Sequence, residues 1–327
     1  MVRIGIVGIG GMGMVHYNNY QHIDGCKVVA AVCHSKQSRE KAISLKLTSY
    51  DDIESMAKNE KINVIDICTP TYLHKRHVIE SLNQGKHVIV EKPIALHKKD
   101  AEEMFKLASD KKLLLFVGQV VQFTKESEIL REAVESGKFG KPLDGYFERI
   151  CGRPKWIKDG WLFDKEKSGI IPFDLHVHDL DLIISLFGKP MSFTYTSCGR
   201  KEADYKEEYR FNYRFKDLNV SAEAAWFNAN YPFKATWRVY FENALIENDG
   251  QNVILYQPDK EPFHYKLEDE IMIPTGINLP ATGMFYRELS HFISCIEKGT
   301  PSNRVGREQI ITGIEILEKI LDDGYVK

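Results

Sequence analysis

The chain has 327 residues, 43% of them hydrophobic and 28% charged, with a formal net charge of −2. That balance suits a globular chain of two ordinary domains and offers no electrostatic footprint for nucleic acid or an acidic membrane surface. No apolar run approaches the roughly 20 residues of a membrane span.

The first residues, Met1-Val-Arg-Ile-Gly-Ile-Val7, run straight into a strand pattern rather than a basic segment followed by a long apolar one, so a cytoplasmic protein is expected. Cys26, Cys33, Cys68, Cys151, Cys198 and Cys295 form no C-x-x-C pair, and reduced, packed thiols are the expectation. After the strand Arg3–Val7 come Gly8-Ile-Gly10-Gly11-Met12-Gly13 and a helix from Met14 to His22. A glycine loop in this position allows a tight turn, close backbone approach to a pyrophosphate, and helix-on-strand packing. The helix N-terminus supplies amides and positive dipole to the phosphates. Gly8, Gly10, Gly11, Met12 and Gly13 are therefore candidate cofactor contacts.

Lys27 to Cys33 is the second strand. NAD-binding sheets usually close this strand with an acidic residue for the ribose 2′-hydroxyl. Here His34 stands at that position, followed by Ser35, Lys36, Ser38 and Arg39. Ser, Lys and Arg bind a 2′-phosphate that a carboxylate would repel. The cofactor is therefore read as NAD(P), with NADP favoured over NAD. Asp51 to Lys58 is a short helix and Asn63 to Cys68 the third strand, ending at Thr69-Pro70 and running on to His74. A helix from Lys75 to Gln84 stops at Gly85. The fourth strand, Lys86 to Val90, is β-branched and apolar and ends abruptly at Glu91-Lys92-Pro93. A helix over Lys98–Asp110 and a fifth strand over Leu113–Val117 complete the alternation. Such alternation predicts a Rossmann-type doubly wound parallel sheet, ending near Gln122, with its ligand crevice at the carboxyl ends of the strands.

Beyond it, Thr124 to Ser136 reads as a helix and Leu143 to Cys151 as a strand. Arg153, Trp156 and Trp161 sit in the following loop and are candidates for a wall against a polar ligand. Pro172 to Phe187 reads as a helix on which Asp174 and His178, spaced i, i+4, share a face. A carboxylate one turn from a histidine orients the imidazole and supports its charged form. His176 and Asp179 point elsewhere. Residues i and i+2 on a helix lie about 200° apart, so His176 and His178 do not readily share a metal, and none is expected. From Met191 to Tyr265 the chain turns to strands. Tyr209, Phe211, Tyr213 and Phe215 alternate with Arg210, Asn212, Arg214 and Lys216, which predicts an antiparallel sheet with one aromatic core face. Tyr240 and Phe227 fall on the other face, so that face is aromatic in part. Gly283 to Glu297 and Val305 to Leu321 are the last helices. The fold class is thus α/β, with a dinucleotide-binding domain over 1–122. An α+β domain with a mainly antiparallel sheet follows over 123–327.

The glycine loop, Thr69-Pro-x-x-x-His74, Glu91-Lys-Pro93 and Asp174-x-x-x-His178-Asp179 together resemble the Gfo/Idh/MocA family of glucose–fructose oxidoreductases and inositol dehydrogenases. The resemblance implies a catalytic set of Lys92, Asp174 and His178, a cis Lys92–Pro93 bond, and Thr69, Pro70, His74, Glu91 and Lys92 near the cofactor. It further implies hydride transfer to or from a secondary alcohol of a sugar, polyol or related small molecule, an open sheet in the second domain for substrate binding and oligomerisation, and a homodimer or homotetramer in which the face with Tyr240 and Phe227 is buried against another subunit. Neither nucleic acid nor membrane is an expected partner. Two other classes stay open: a dinucleotide-binding sensor without turnover, and a redox-neutral epimerase or lyase with tightly held cofactor.

Overall fold

A computed structural model describes residues 1–155 and 160–322. The chain divides into two compact units, one built from Met1–Phe123 and Asp269–Ile314, the other from Thr124–Glu268 and the chain from Glu315.

The first unit holds strands β1 (Val2–Val7), β2 (Cys26–Val32), β3 (Thr48–Tyr50), β4 (Val64–Ile67), β5 (His87–Glu91) and β6 (Leu115–Gly118). Between them run helices α1 (Gly11–Tyr20), α2 (Lys36–Ser44), α3 (Ile53–Asn59), α4 (His74–Asn83) and α5 (Lys98–Asp110). The strands form a six-stranded parallel sheet in the order β3-β2-β1-β4-β5-β6. Ile4, Ile6, Val64, Ile65, Ile67, Val88, Ile89 and Val90 are all fully buried, as central strands covered on both faces require. The sheet has one more strand than the sequence pattern suggests. Thr48-Ser-Tyr50 is three residues long and lies at the edge, too short for a period to show.

The second unit holds β7 (Pro142–Gly152), β8 (Ser192–Cys198), β9 (Glu208–Arg214), β10 (Asn219–Phe227), β11 (Lys234–Phe241), β12 (Ala244–Asn248), β13 (Val253–Tyr256) and β14 (Phe263–His264). Helices α6 (Lys125–Ser136), α7 (Lys165–Ser168) and α8 (Val177–Phe187) accompany them. The eight strands form one sheet, β14-β13-β12-β11-β7-β10-β9-β8, antiparallel except where β7 meets β10. On β9 the expected alternation is present: Tyr209, Phe211 and Tyr213 are buried while Arg210, Asn212 and Arg214 are exposed. On the far face Tyr240 is exposed and Phe227 half-buried.

Two last helices, α9 (Met284–Lys298) and α10 (Arg307–Asp322), follow. Chain order assigns both to the second domain, but residues 269–314 return to the first unit. The apolar stripe of α9 explains this. Phe292 stacks on Phe116 of β6 at 4.9 Å, and Phe285 joins Val15 of α1 and Val120 in a buried cluster. Arg287 holds the return: its Nε donates to the Phe123 carbonyl at 2.6 Å and its guanidinium pairs with Asp269. Periodicity reveals that a helix has a buried face, not which sheet that face meets. All six cysteines are free thiols, but Cys198 is exposed rather than packed. Among the described residues no helix is long and apolar enough to cross a membrane.

His176 shows how the second sheet holds its helix. Its ring lies on Phe211 with centroids 3.8 Å apart, and Nε2 meets the Tyr213 hydroxyl at 2.6 Å. Burial, with Arg149 adding to it, pushes its pKa down to about 3. The unfolded chain takes up this proton near pH 6.5. The folded form is therefore favoured fully above that value, and this stability is lost as the pH falls from there towards about 3. We expect the denaturant midpoint of wild type to drop over this range, and that of His176→Phe to drop less. Parallel curves in near-UV circular dichroism would contradict the assignment.

Candidate active site

In the first unit, β1 runs into the glycine loop and α1. Gly8 has φ of +91°, and a Cβ there would lie 2.9 Å from the Cys68 carbonyl oxygen. Only glycine suits that turn. α1 starts at Gly11, with Gly10 as N-cap and no side-chain cap on its first amides. A Cβ at Gly10 would meet no protein atom within 4 Å. Uncapped amides beside open space fit a diphosphate, so the residues present suit a dinucleotide. Met12 packs on the Val15–Val120–Phe285 cluster together with Ile277. Ile277 also lies 3.3 Å from where a Gly11 Cβ would stand, a contact from far along the chain that the glycine motif does not announce.

After β2, His34, Ser35 and Lys36 are exposed. Ser35 and Ser38 form a capping box on α2, with the Ser35 Oγ accepting from the Ser38 amide at 3.1 Å. Arg39 pairs with Asp51. Lys36 lies 3.9 Å from Glu40, so Ser35, Lys36, Ser38 and Arg39 all have local partners as well.

Thr69 and Pro70 follow β4. His74, buried, faces two backbone carbonyls at 2.8 Å each, those of Pro93 and Thr69. Burial lowers its pKa, so a neutral ring bridges the loops after β4 and β5, donating to one carbonyl at a time. Lys92 is half-buried at the end of β5, and its bond to Pro93 is cis. Glu91 beside it turns inward. Its Oε1 meets His16 Nε2 at 3.0 Å, and its Oε2 accepts the Lys92 amide at 3.1 Å. His16 Nδ1 lies 2.8 Å from Asp66, which also accepts from the Tyr20 hydroxyl at 2.9 Å. This network matches no sequence motif. Its signal was one aspartate inside the apolar strand Val64-Ile-Asp66-Ile67. His16, Asp66 and Cys68 also lie close enough together to bind a metal ion. Without an ion, burial pushes the Cys68 thiol up to about 12, and His16 Nδ1 and the Asp66 carboxylate already meet each other at 2.8 Å.

In the second unit, Pro172–His176 winds as a π-helix and passes directly into α8. Asp174 and His178 are half-buried on consecutive turns. Their neighbours turn to the sheet: His176 to Phe211, and Asp179 to Arg149 of β7 at 2.8 Å. Burial raises the Asp179 pKa against the pull of Arg149. A π-turn inserted in an α-helix is frequent at functional sites. Arg153 lies over the Phe163 ring at 4.3 Å, and Trp161 opens the short turn Trp161–Phe163. Trp156 lies outside the described residues.

Residues 2–119 match the family model described as an oxidoreductase family with an NAD-binding Rossmann fold, and residues 128–247 match the GFO/IDH/MocA C-terminal domain. The chain belongs to the Gfo/Idh/MocA family. It is similar to a myo-inositol 2-dehydrogenase of Thermotoga maritima, 29% identical over 191 residues, covering 58% of this chain and 55% of that one. It is also similar to a 2,7-anhydro-N-acetylneuraminate hydratase of Escherichia coli K12, 26% identical over 189 residues, covering 58% and 50%. The chain thus spans about half the length of the curated relatives it matches. A levoglucosan dehydrogenase solved with NADH and levoglucosan shares the fold, with a TM-score of 0.83 at 19% identity, covering 98% of this chain and 96% of that one. The Gfo/Idh/MocA Rossmann match ends at residue 119, just before the first unit gives way after Phe123.

Proposed function

We propose that this chain is an NAD(P)-dependent oxidoreductase acting on a secondary alcohol of a sugar, polyol or related small molecule. The observation that carries this reading is Lys92, a half-buried cation at the carboxyl end of a central parallel strand, on the edge where such sheets bind ligands. In this reading the first unit holds the cofactor through the uncapped amides of α1, and the nicotinamide supplies or takes the hydride. Lys92 hydrogen-bonds the oxygen on the reacting carbon and stabilises its negative charge. His178 accepts the alcohol proton in oxidation and returns it in reduction. Asp174, one turn earlier, orients that imidazole or holds a substrate hydroxyl. Arg153 and Trp161 belong to the substrate side.

The E. coli hydratase, a relative named for a reaction without net oxidation, favours a second reading. In that reading this chain would hold its cofactor tightly and carry out a redox-neutral step through a transient ketone. The deciding experiment is a panel of sugars, inositols and sugar acids assayed with both cofactors. Oxidation of at least one, with formation of reduced nicotinamide, is expected. Binding of cofactor with no turnover on any would leave a sensor as the better reading.

NADP is favoured over NAD because no carboxylate closes β2, while exposed His34, Ser35 and Lys36 follow it. NADPH is therefore expected to bind with a lower dissociation constant than NADH. Tighter NADH binding in a fluorescence titration would remove this preference.

A further inference from the structure

His16 is fully buried, and each of its ring nitrogens meets a different acidic side chain: Asp66 at 2.8 Å and Glu91 at 3.0 Å. Burial by itself would lower the His16 pKa, but the attraction of Asp66 and Cys68 and their hydrogen bonds outweigh it and raise it well above the usual value. An imidazolium donates from both nitrogens, so it can hold both carboxylates at once. The Glu91 carboxylate then has two fixed partners, His16 on one oxygen and the Lys92 amide on the other. The next strand makes room for it: a Cβ on Gly118 of β6 would lie 3.3 Å from the Glu91 Oε1. Phe285 of α9 closes the cluster, its ring 6.3 Å from that of His16.

We propose that His16 and Glu91 are positioning residues for Lys92: the His16 ring on the glycine-loop helix fixes the Glu91 carboxylate, and that carboxylate fixes the backbone from which Lys92 projects. One buried contact thereby ties the loop that would receive the diphosphate to the strand end that presents the cation. Neither side chain needs to touch substrate. The inference rests on the reading of Lys92 as a catalytic group.

Glu91→Gln keeps the length but has one acceptor oxygen, so it takes either the His16 imidazolium or the Lys92 amide while its NH2 faces the other donor. Glu91→Asp keeps the charge but is one methylene short of both partners. Misplacing a reacting group by about 1 Å costs on the order of a hundredfold. Glu91→Asp and Glu91→Gln are accordingly each expected to lower kcat roughly ten- to hundredfold, with KM and the cofactor dissociation constant within about threefold. Either variant turning over like wild type would overturn the proposal. Lys92→Ala run alongside tells the two failures apart. If it is inactive while Glu91→Asp is normal, only the positioning role falls. If Lys92→Ala is itself active, the catalytic reading falls first.

Discussion

Lys92→Ala is expected to lower kcat by roughly two orders of magnitude or more, with the dissociation constant of the nicotinamide cofactor within a few fold of wild type. The side chain stands where β5 ends, in a corner that Glu91, His16 and His74 also hold together. Glu91 is held by His16, and the Pro93 carbonyl faces His74. Truncation therefore removes a cation and leaves its scaffold, so the loss should fall on the chemical step. A donor aimed at a developing alkoxide acts in the transition state more than in the ground state, which predicts parallel falls in kcat and kcat/KM. His178→Ala should slow turnover on a similar scale and also change the pH dependence of kcat, since a proton acceptor is lost. Near-normal turnover in both variants would remove the proposed chemistry. Stopped-flow single turnovers separate a slow chemical step from slow product release.

Gly13→Ala is expected to weaken cofactor binding by about a hundredfold or more, which at 1.4 kcal/mol per tenfold is about 3 kcal/mol. A Cβ at this position would sit 2.0 Å from the Gly8 carbonyl oxygen and 3.0 Å from its carbon. Both are backbone atoms, so no rotamer change relieves the clash, and the loop or the start of α1 has to move. The amides that would receive the diphosphate move with it. Gly10→Ala is the matched control. Its Cβ meets no protein atom, so the variant should unfold at the wild-type temperature, and any loss of affinity there reports the approach of the cofactor itself. Fluorescence titration with reduced cofactor, paired with thermal unfolding, reads both. Wild-type affinity in Gly13→Ala would place the cofactor elsewhere.

The parallel sheet was legible because its central strands are continuous Val and Ile runs punctuated by glycine, proline and charge at their carboxyl ends. The aromatic sheet was legible because Tyr209, Phe211 and Tyr213 repeat at the period of a strand. What escaped notice lacked a local signature. β3 is three residues long at an edge. The partner of α9 is set by the shape of Phe285 and Phe292 against residues more than a hundred positions earlier. The π-helical winding at Pro172–His176 has no marker in the sequence, because the spacing of Asp174 and His178 is the same in either winding. The His16–Asp66–Glu91 network joins three elements, and no spacing rule connects positions 16, 66 and 91. Glu91 itself read as part of the cofactor crevice, but its carboxylate faces His16 and the Lys92 amide.

In the proposed reaction a hydride moves between a substrate carbon and nicotinamide with net oxidation or reduction. The direct measurement is stoichiometry on a converted member of the sugar and polyol panel, following reduced nicotinamide by absorbance and product by mass spectrometry in the same reaction. The account predicts reduced nicotinamide formed in step with ketone product, and both abolished together in Lys92→Ala. Product accumulating with no net change in nicotinamide absorbance would contradict it and assign the chain to redox-neutral chemistry.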